Sequence, residues 1–162
     1  MAAYLKHICL FLVLLAVGCG RGQEPLTHEQ KAAVADSVKL VLDGYSQAVK
    51  SLDADRVIDY YLDTPGFVLA SNDEYYPSRD SLHRMLQSHL KMLRSIDSLA
   101  WIDPQVIVLA KDAATITTGF YEKLTFSAGT SVDLRGHFTF VLQNSSRGWK
   151  FVQVHQSLPS GR

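Results

Sequence analysis

Gly148-Trp149-Lys150-Phe151-Val152-Gln153-Val154-His155-Gln156-Ser157 is the stretch on which the fold turns. Large apolar and polar residues alternate here with period two, the mark of a β-strand with one face on a core. On a regular strand Trp149, Phe151, Gln153, His155 and Ser157 share a face that begins aromatic and ends polar. Val152 and Val154 then take the opposite face. That is the pattern of a strand running from a packed interior into the mouth of a pocket.

The same period extends backwards from this stretch. It predicts strands over 99–102, 105–109, 113–126 and 132–143, with turn residues Asp103-Pro104, Lys111-Asp112, Ala128-Gly129 and 144–148 between them. Short links between successive strands give an antiparallel meander. Before residue 95 the period is 3.6. Val34, Val38, Val41, Leu42, Tyr45 and Val49 form one face of a long helix over 29–51. Asp53 then caps a second helix, with Leu52 and Val57 at the staple positions, and Thr64-Pro65-Gly66 stops it. A short strand over 67–70 and a turn at Asn72-Asp73 lead to a third helix opened by Pro77-Ser78. Its stripe is Leu82, Met85, Leu86, His89, Leu90 and Leu93. The fold class is therefore α+β: three N-terminal helices packed on a strongly curved, mainly antiparallel sheet. One domain covers 29–158, and 159–162 is a tail.

The chain has 162 residues, 16 basic against 16 acidic, 47% hydrophobic residues and two cysteines. One domain's length and a zero net charge exclude nucleic acid as the main partner, since phosphate binding needs a clustered basic surplus. Lys6 followed by an apolar run over 8–17 is the pattern of an export signal, too short to span a bilayer as a helix. Ala16-Val17-Gly18-Cys19 resembles the lipobox of bacterial lipoproteins, which implies a signal peptide over 1–18, acylation of Cys19 and a lipidated tether over 19–28. The alternative is an ordinary secretory signal. The resemblance makes the membrane a partner through Cys19 and the cell envelope the location. With Gly20 after the cysteine, the site is the periplasmic face of the outer membrane if the host has two membranes. Cys9 leaves with the leader and acylation consumes Cys19, so no thiol remains for a nucleophile, a zinc site or a disulfide. Loss of Lys6 leaves 15 basic residues against 16 acidic, a charge of −1.

Two helices joined through Leu52-Asp53-Ala54-Asp55, a short strand, a third helix and long strands ending in the Trp149 to Ser157 stretch resemble the nuclear-transport-factor-2-like superfamily, in its SnoaL-like branch, over residues 31–158. The resemblance implies a cone-shaped α+β barrel with a pocket between sheet and helices, often dimerising through the outer sheet face. Members include isomerases, cyclases, dehydratases and hydrolases beside non-catalytic binding and assembly domains, so fold does not settle function. His155-x-Ser157 is the most specific match, and it marks the fold more than a catalytic motif.

Candidate catalytic residues are His155 and Glu122. A neutral imidazole at His155 suits a general base near pH 7, or simply a hydrogen bond that closes the barrel. Glu122 shares the parity of Ile116, Thr118 and Phe120 and faces the interior on a regular strand, where burial raises a carboxyl pKa; one bulge turns it to water. Tyr45, Tyr60, Phe67, Trp101, Gln153, His155 and Ser157 are the expected ligand-binding residues. Arg135 and His137 take the opposite parity, on a dimer face or in solvent, and His83 falls on a wet helix face. No metal site is expected, because the five remaining histidines and the acids are not gathered by spacing, and no cofactor is expected. Three readings follow: a lipid-anchored domain binding a small, partly apolar molecule; an acid–base enzyme using His155 with Glu122; and a dimeric assembly domain of the envelope.

Overall fold

The computed structural model describes residues 25–159, so the leader and Cys19 lie outside the described residues. Helix α1 (His28–Lys50) opens on a capping box: the Thr27 hydroxyl accepts from the Gln30 N–H at 3.2 Å and the Gln30 side chain accepts from the Thr27 N–H at 2.9 Å. Its buried face carries Val38, Leu42, Tyr45, Ser46 and Ala48. Leu52, in the left-handed region at φ 56°, reverses the chain, and the Asp53 carboxylate caps α2 (Ala54–Ile58) by accepting from the Asp55 and Arg56 N–H groups. A Ser78 cap starts α3 (Arg79–Leu90), which buries Leu82 most deeply. His89, expected on the apolar stripe, is exposed; in the last turn Leu90 takes the inward position instead.

Six strands form one sheet in the order β2-β1-β6-β5-β4-β3. Strands β3 (Leu93–Ala110), β4 (Ala113–Phe126), β5 (Ser131–Ser145) and β6 (Gly148–Ser157) are the expected antiparallel meander. β1 (Val68–Ser71) lies parallel to β6, and β2 (Glu74–Tyr76) hangs antiparallel on β1. The helices pack on one side of this sheet, chiefly α1 on β3. Asp103-Pro104 does not divide β3 in two. Asp103 adopts φ 50° and the register with β4 slips between Ile102 and Gln105, so the strand bulges and continues. Pro104 is tolerated because β3 is an edge strand with one side unpaired.

β6 departs from regular alternation as well. Phe151 pairs with Leu142 and Gln153 with Val141, which leaves Val152 as an extra residue in the ladder. Phe151 and Val154, three residues apart, are thus both fully buried. Beyond the bulge, parity is inverted relative to the expectation: Val154 points in, while Gln153 and His155 are exposed on the outer face. The densest packing is aromatic. Phe140 stacks on Phe151 with centroids 4.6 Å apart, and Tyr45 and Tyr61 meet Phe151 edge-on at 5.2 and 5.4 Å.

Candidate functional site

Toward the other end of the sheet the packing opens into a partly enclosed cavity of about 190 Å³ between strands β3 to β6, the three helices and the β1–β2 hairpin. Its walls are mainly apolar: Val49, Leu82, Met85, Leu86 and Leu99, with the rings of Trp101, Phe120 and Phe138. Among the described residues no lysine, arginine or histidine lines it.

Glu122 reaches this cavity from β4. The β4–β5 register runs unbroken from Ala113 to Thr125, so the inward parity of Ile116, Thr118 and Phe120 passes to Glu122 without a slip. Its carboxyl has no hydrogen-bond or ion-pair partner among the described residues, and burial alone pushes its pKa from 4.5 up to about 7. Opposite stand two phenols. The Tyr45 and Tyr61 hydroxyls lie 2.8 Å apart, and burial raises both pKa values, that of Tyr45 to about 12 with the charge of Glu122 adding to it. The Trp101 indole N–H donates to the Ser46 hydroxyl at 2.8 Å and to the Leu42 carbonyl at 3.2 Å, which fixes its ring against α1. At the rim the Tyr76 hydroxyl donates to Glu74 at 2.6 Å, and the Ser71 hydroxyl donates to Gln156 at 3.0 Å.

The expected lining separates accordingly. Tyr45, Trp101 and Glu122 meet in the cavity. Phe67 is wholly buried against Tyr61 in the core, and Tyr60 packs on α1 at Gly44, where any Cβ would come within 2.6 Å of its hydroxyl. Gln153 and His155 lie on the far side of the sheet, because of the Val152 bulge, so His155 and Glu122 do not form a proton-handling pair. Ser157 borders a separate shallow groove with Gly119, Arg135 and His137 on the outer face. Tyr61, Tyr76, Ser71, Glu74 and Gln156 belong to the cavity and were not anticipated. The nearest sequence signal for Gln156 was its parity opposite to His155, legible only once the bulge is known. Likewise His83 is less wet than its helical position suggested: its Nε2 meets the Asp55 carboxylate at 2.7 Å and ties α3 to α2. Among the described residues no three His, Cys, Asp or Glu side chains gather as a metal site, and no helix is long and apolar enough to cross a membrane.

A model of the SnoaL-like domain matches residues 38–161. The chain belongs to the SnoaL-like domain family. No curated protein matches its sequence. Solved structures similar to this SnoaL-like domain include a nuclear transport factor 2-like superfamily protein from Salmonella enterica serovar Typhimurium, 15% identical, with a TM-score of 0.71 over 80% of this chain and 94% of that one. A ketosteroid isomerase-like protein from Erwinia carotovora atroseptica is 20% identical, with a TM-score of 0.67 over 83% of this chain and 100% of the other. A type 2 hexachlorocyclohexane dehydrochlorinase is 9% identical, with a TM-score of 0.69 over 83% and 90%. At these identities the likeness establishes the shared α+β cone and nothing finer.

Proposed function

We propose that this SnoaL-like domain holds a small, partly apolar molecule in its cavity. The observation that carries the reading is the hollow itself: about 190 Å³, walled by aromatic and aliphatic side chains, with one unpartnered carboxyl turned into it. Apolar concavities with a few directed polar groups are the usual form of small-molecule sites. Native mass spectrometry of the protein purified from its own host tests this. A retained small molecule, lost when Leu86 is enlarged to Trp, is the expected result; a bare chain that also takes up no added probe overturns it.

A second reading makes Glu122 a proton carrier, and one observation favours it. A carboxyl with a pKa of about 7 is poised to accept or return a proton near neutrality. The isomerase-like and dehydrochlorinase names among proteins of similar fold agree with such chemistry. Solvent deuterium entering the retained molecule, and ceasing to enter with Glu122→Gln, is the outcome this reading requires. His155 has no part in it.

The setting is part of the same proposal. The lipobox-like Ala16-Val17-Gly18-Cys19 supports export and anchoring in the cell envelope through an acylated Cys19, so Cys19→Ser should release the protein from membranes. Ile102, Ile107 and Leu109 are 52%, 63% and 60% exposed on β3, which supports a homodimer through the outer sheet face. Sedimentation of an Ile107→Lys variant as a smaller species than the parent chain is the expected outcome.

A further inference from the structure

We propose that the occupant of the cavity is a small organic amine, bound as its ammonium ion with the charged end on Glu122 and a body of about one aromatic ring. This rests on the reading that the cavity is a ligand site, and adds the ligand's charge. Three observations carry it. First, the lining is electrically one-sided: Glu122 inside, Glu74 at the rim, and no basic side chain in the wall. An anionic ligand would meet repulsion there without a compensating partner.

Second, the polar groups around Glu122 are already bonded within the protein. One of the Tyr45 and Tyr61 hydroxyls donates to the other, the Trp101 N–H is held by Ser46, Tyr76 by Glu74, and Ser71 by Gln156. Of the two carboxyls that line the cavity, only that of Glu122 has no partner among the described residues. A half-buried carboxylate with no protein partner is partly desolvated, and a cation relieves that most strongly. Third, the remaining walls include the rings of Trp101, Phe120 and Phe138. Aromatic faces attract ammonium groups through the ring quadrupole and also accept an apolar body. The size follows from volume: a dry cavity of about 150 Å³ takes one benzene molecule, so about 190 Å³ takes one ring with a short arm.

The titration of Glu122 gives the idea a second readout. Of the groups facing it, α1 supplies the Tyr45 phenol, the segment after α2 supplies Tyr61, and β2 supplies Glu74 and Tyr76. The cavity-lining residues of α3, β3, β5 and β6 are uncharged. Lys123 and Arg135 are exposed and line no part of the cavity. The carboxyl of Glu122 is therefore the group in the wall that changes charge near pH 7. An ammonium ligand needs the carboxylate form, so its affinity rises with pH until that form dominates.

Calorimetric titration of the full chain with benzylamine, benzyl alcohol and benzoate, which share a ring and differ in charge, tests the assignment. At pH 8 benzylamine should bind at least tenfold more tightly than benzyl alcohol, with benzoate weakest. Below pH 7 the benzylamine affinity should fall by roughly tenfold per unit while that of benzyl alcohol stays level. Glu122→Gln, shown to be folded by its thermal transition, should erase both the preference and the pH slope. Equal binding of benzylamine and benzyl alcohol at pH 8, or a preference that survives Glu122→Gln, overturns the amine assignment and leaves a small-molecule site. If none of the three binds the parent chain, the amine and the site fall together.

Discussion

The two ends of the cone use the same strands to opposite effect. On β4, Ala114 and Ile116 are wholly buried and close the narrow end together with Phe140, Leu142 and Phe151. Four to eight residues further along β4, Phe120 and Glu122 border a space that no side chain fills. At the narrow end Phe140 stacks on Phe151 at 4.6 Å, and its other face meets Phe138 of the cavity wall at 5.0 Å. At the wide end the side chains are held by bonds to their own walls, as Trp101 is by Ser46 and Leu42. Stability is thus concentrated where no ligand enters, and the hollow keeps an uncompensated carboxyl that costs the fold free energy.

That division can be broken from either end. The largest loss should come from Phe151→Ala, which empties the centre of the ring cluster and should cost about 3–5 kcal/mol in urea denaturation. A cost below about 1 kcal/mol would show the narrow end to be less rigid than its burial implies. The next effect has the opposite sign. Glu122 titrates at about 7 in the folded chain against 4.5 ordinarily, so the folded state holds the extra proton between those values. Stability is then greatest below pH 4.5 as far as this group is concerned, and falls as pH rises through 7. Glu122→Gln should flatten that decline and leave the chain about 2–3 kcal/mol more stable at pH 8, followed by denaturation across pH. A variant as pH-dependent as its parent would assign the decline to other groups.

Smaller effects sharpen the boundary between the ends. Tyr45→Phe removes one half of the buried hydroxyl pair and leaves Tyr61 without its partner, a loss of about 1–2 kcal/mol by denaturant titration. Should the same change leave stability untouched, the pair would be a feature of the ligand site alone. His155→Ala should move stability by no more than about 0.5 kcal/mol and leave probe binding unchanged, since the side chain is exposed on the outer face. A marked loss of binding would put the outer face in communication with the cavity.

Much of the fold was legible because the helices and the central strands obey one period each. The Asp53 start and the whole of β4 follow from local chemistry, and Glu122 keeps the parity of Ile116 because no residue is inserted between them. The bulge at Val152 has no such local mark. It places Phe151 and Val154 together in the core, and that choice depends on Leu142 and Val141 of the neighbouring strand rather than on β6 itself. One inserted residue moved Gln153 and His155 out of the site and Gln156 into it. Tyr76 and Glu74 escaped notice for a related reason: three residues on an edge strand are too few to display a period.

The parallel pairing of β1 with β6 has a consequence in the order of synthesis. Val68 to Ser71 align with Gln153 to Gln156, and the β1–β2 hairpin joins the sheet through that pairing alone. The hairpin leaves the ribosome early but has no strand to dock on until β6 follows, roughly eighty residues later, which at translation speeds means seconds of waiting. Leu69, Ser71, Glu74 and Tyr76, one wall of the cavity, are therefore set in place only after β6 has been made. A stalled chain ending before Gly148 would carry Glu122 and the aromatic walls but an open cavity, so translation itself fixes when the hollow is completed.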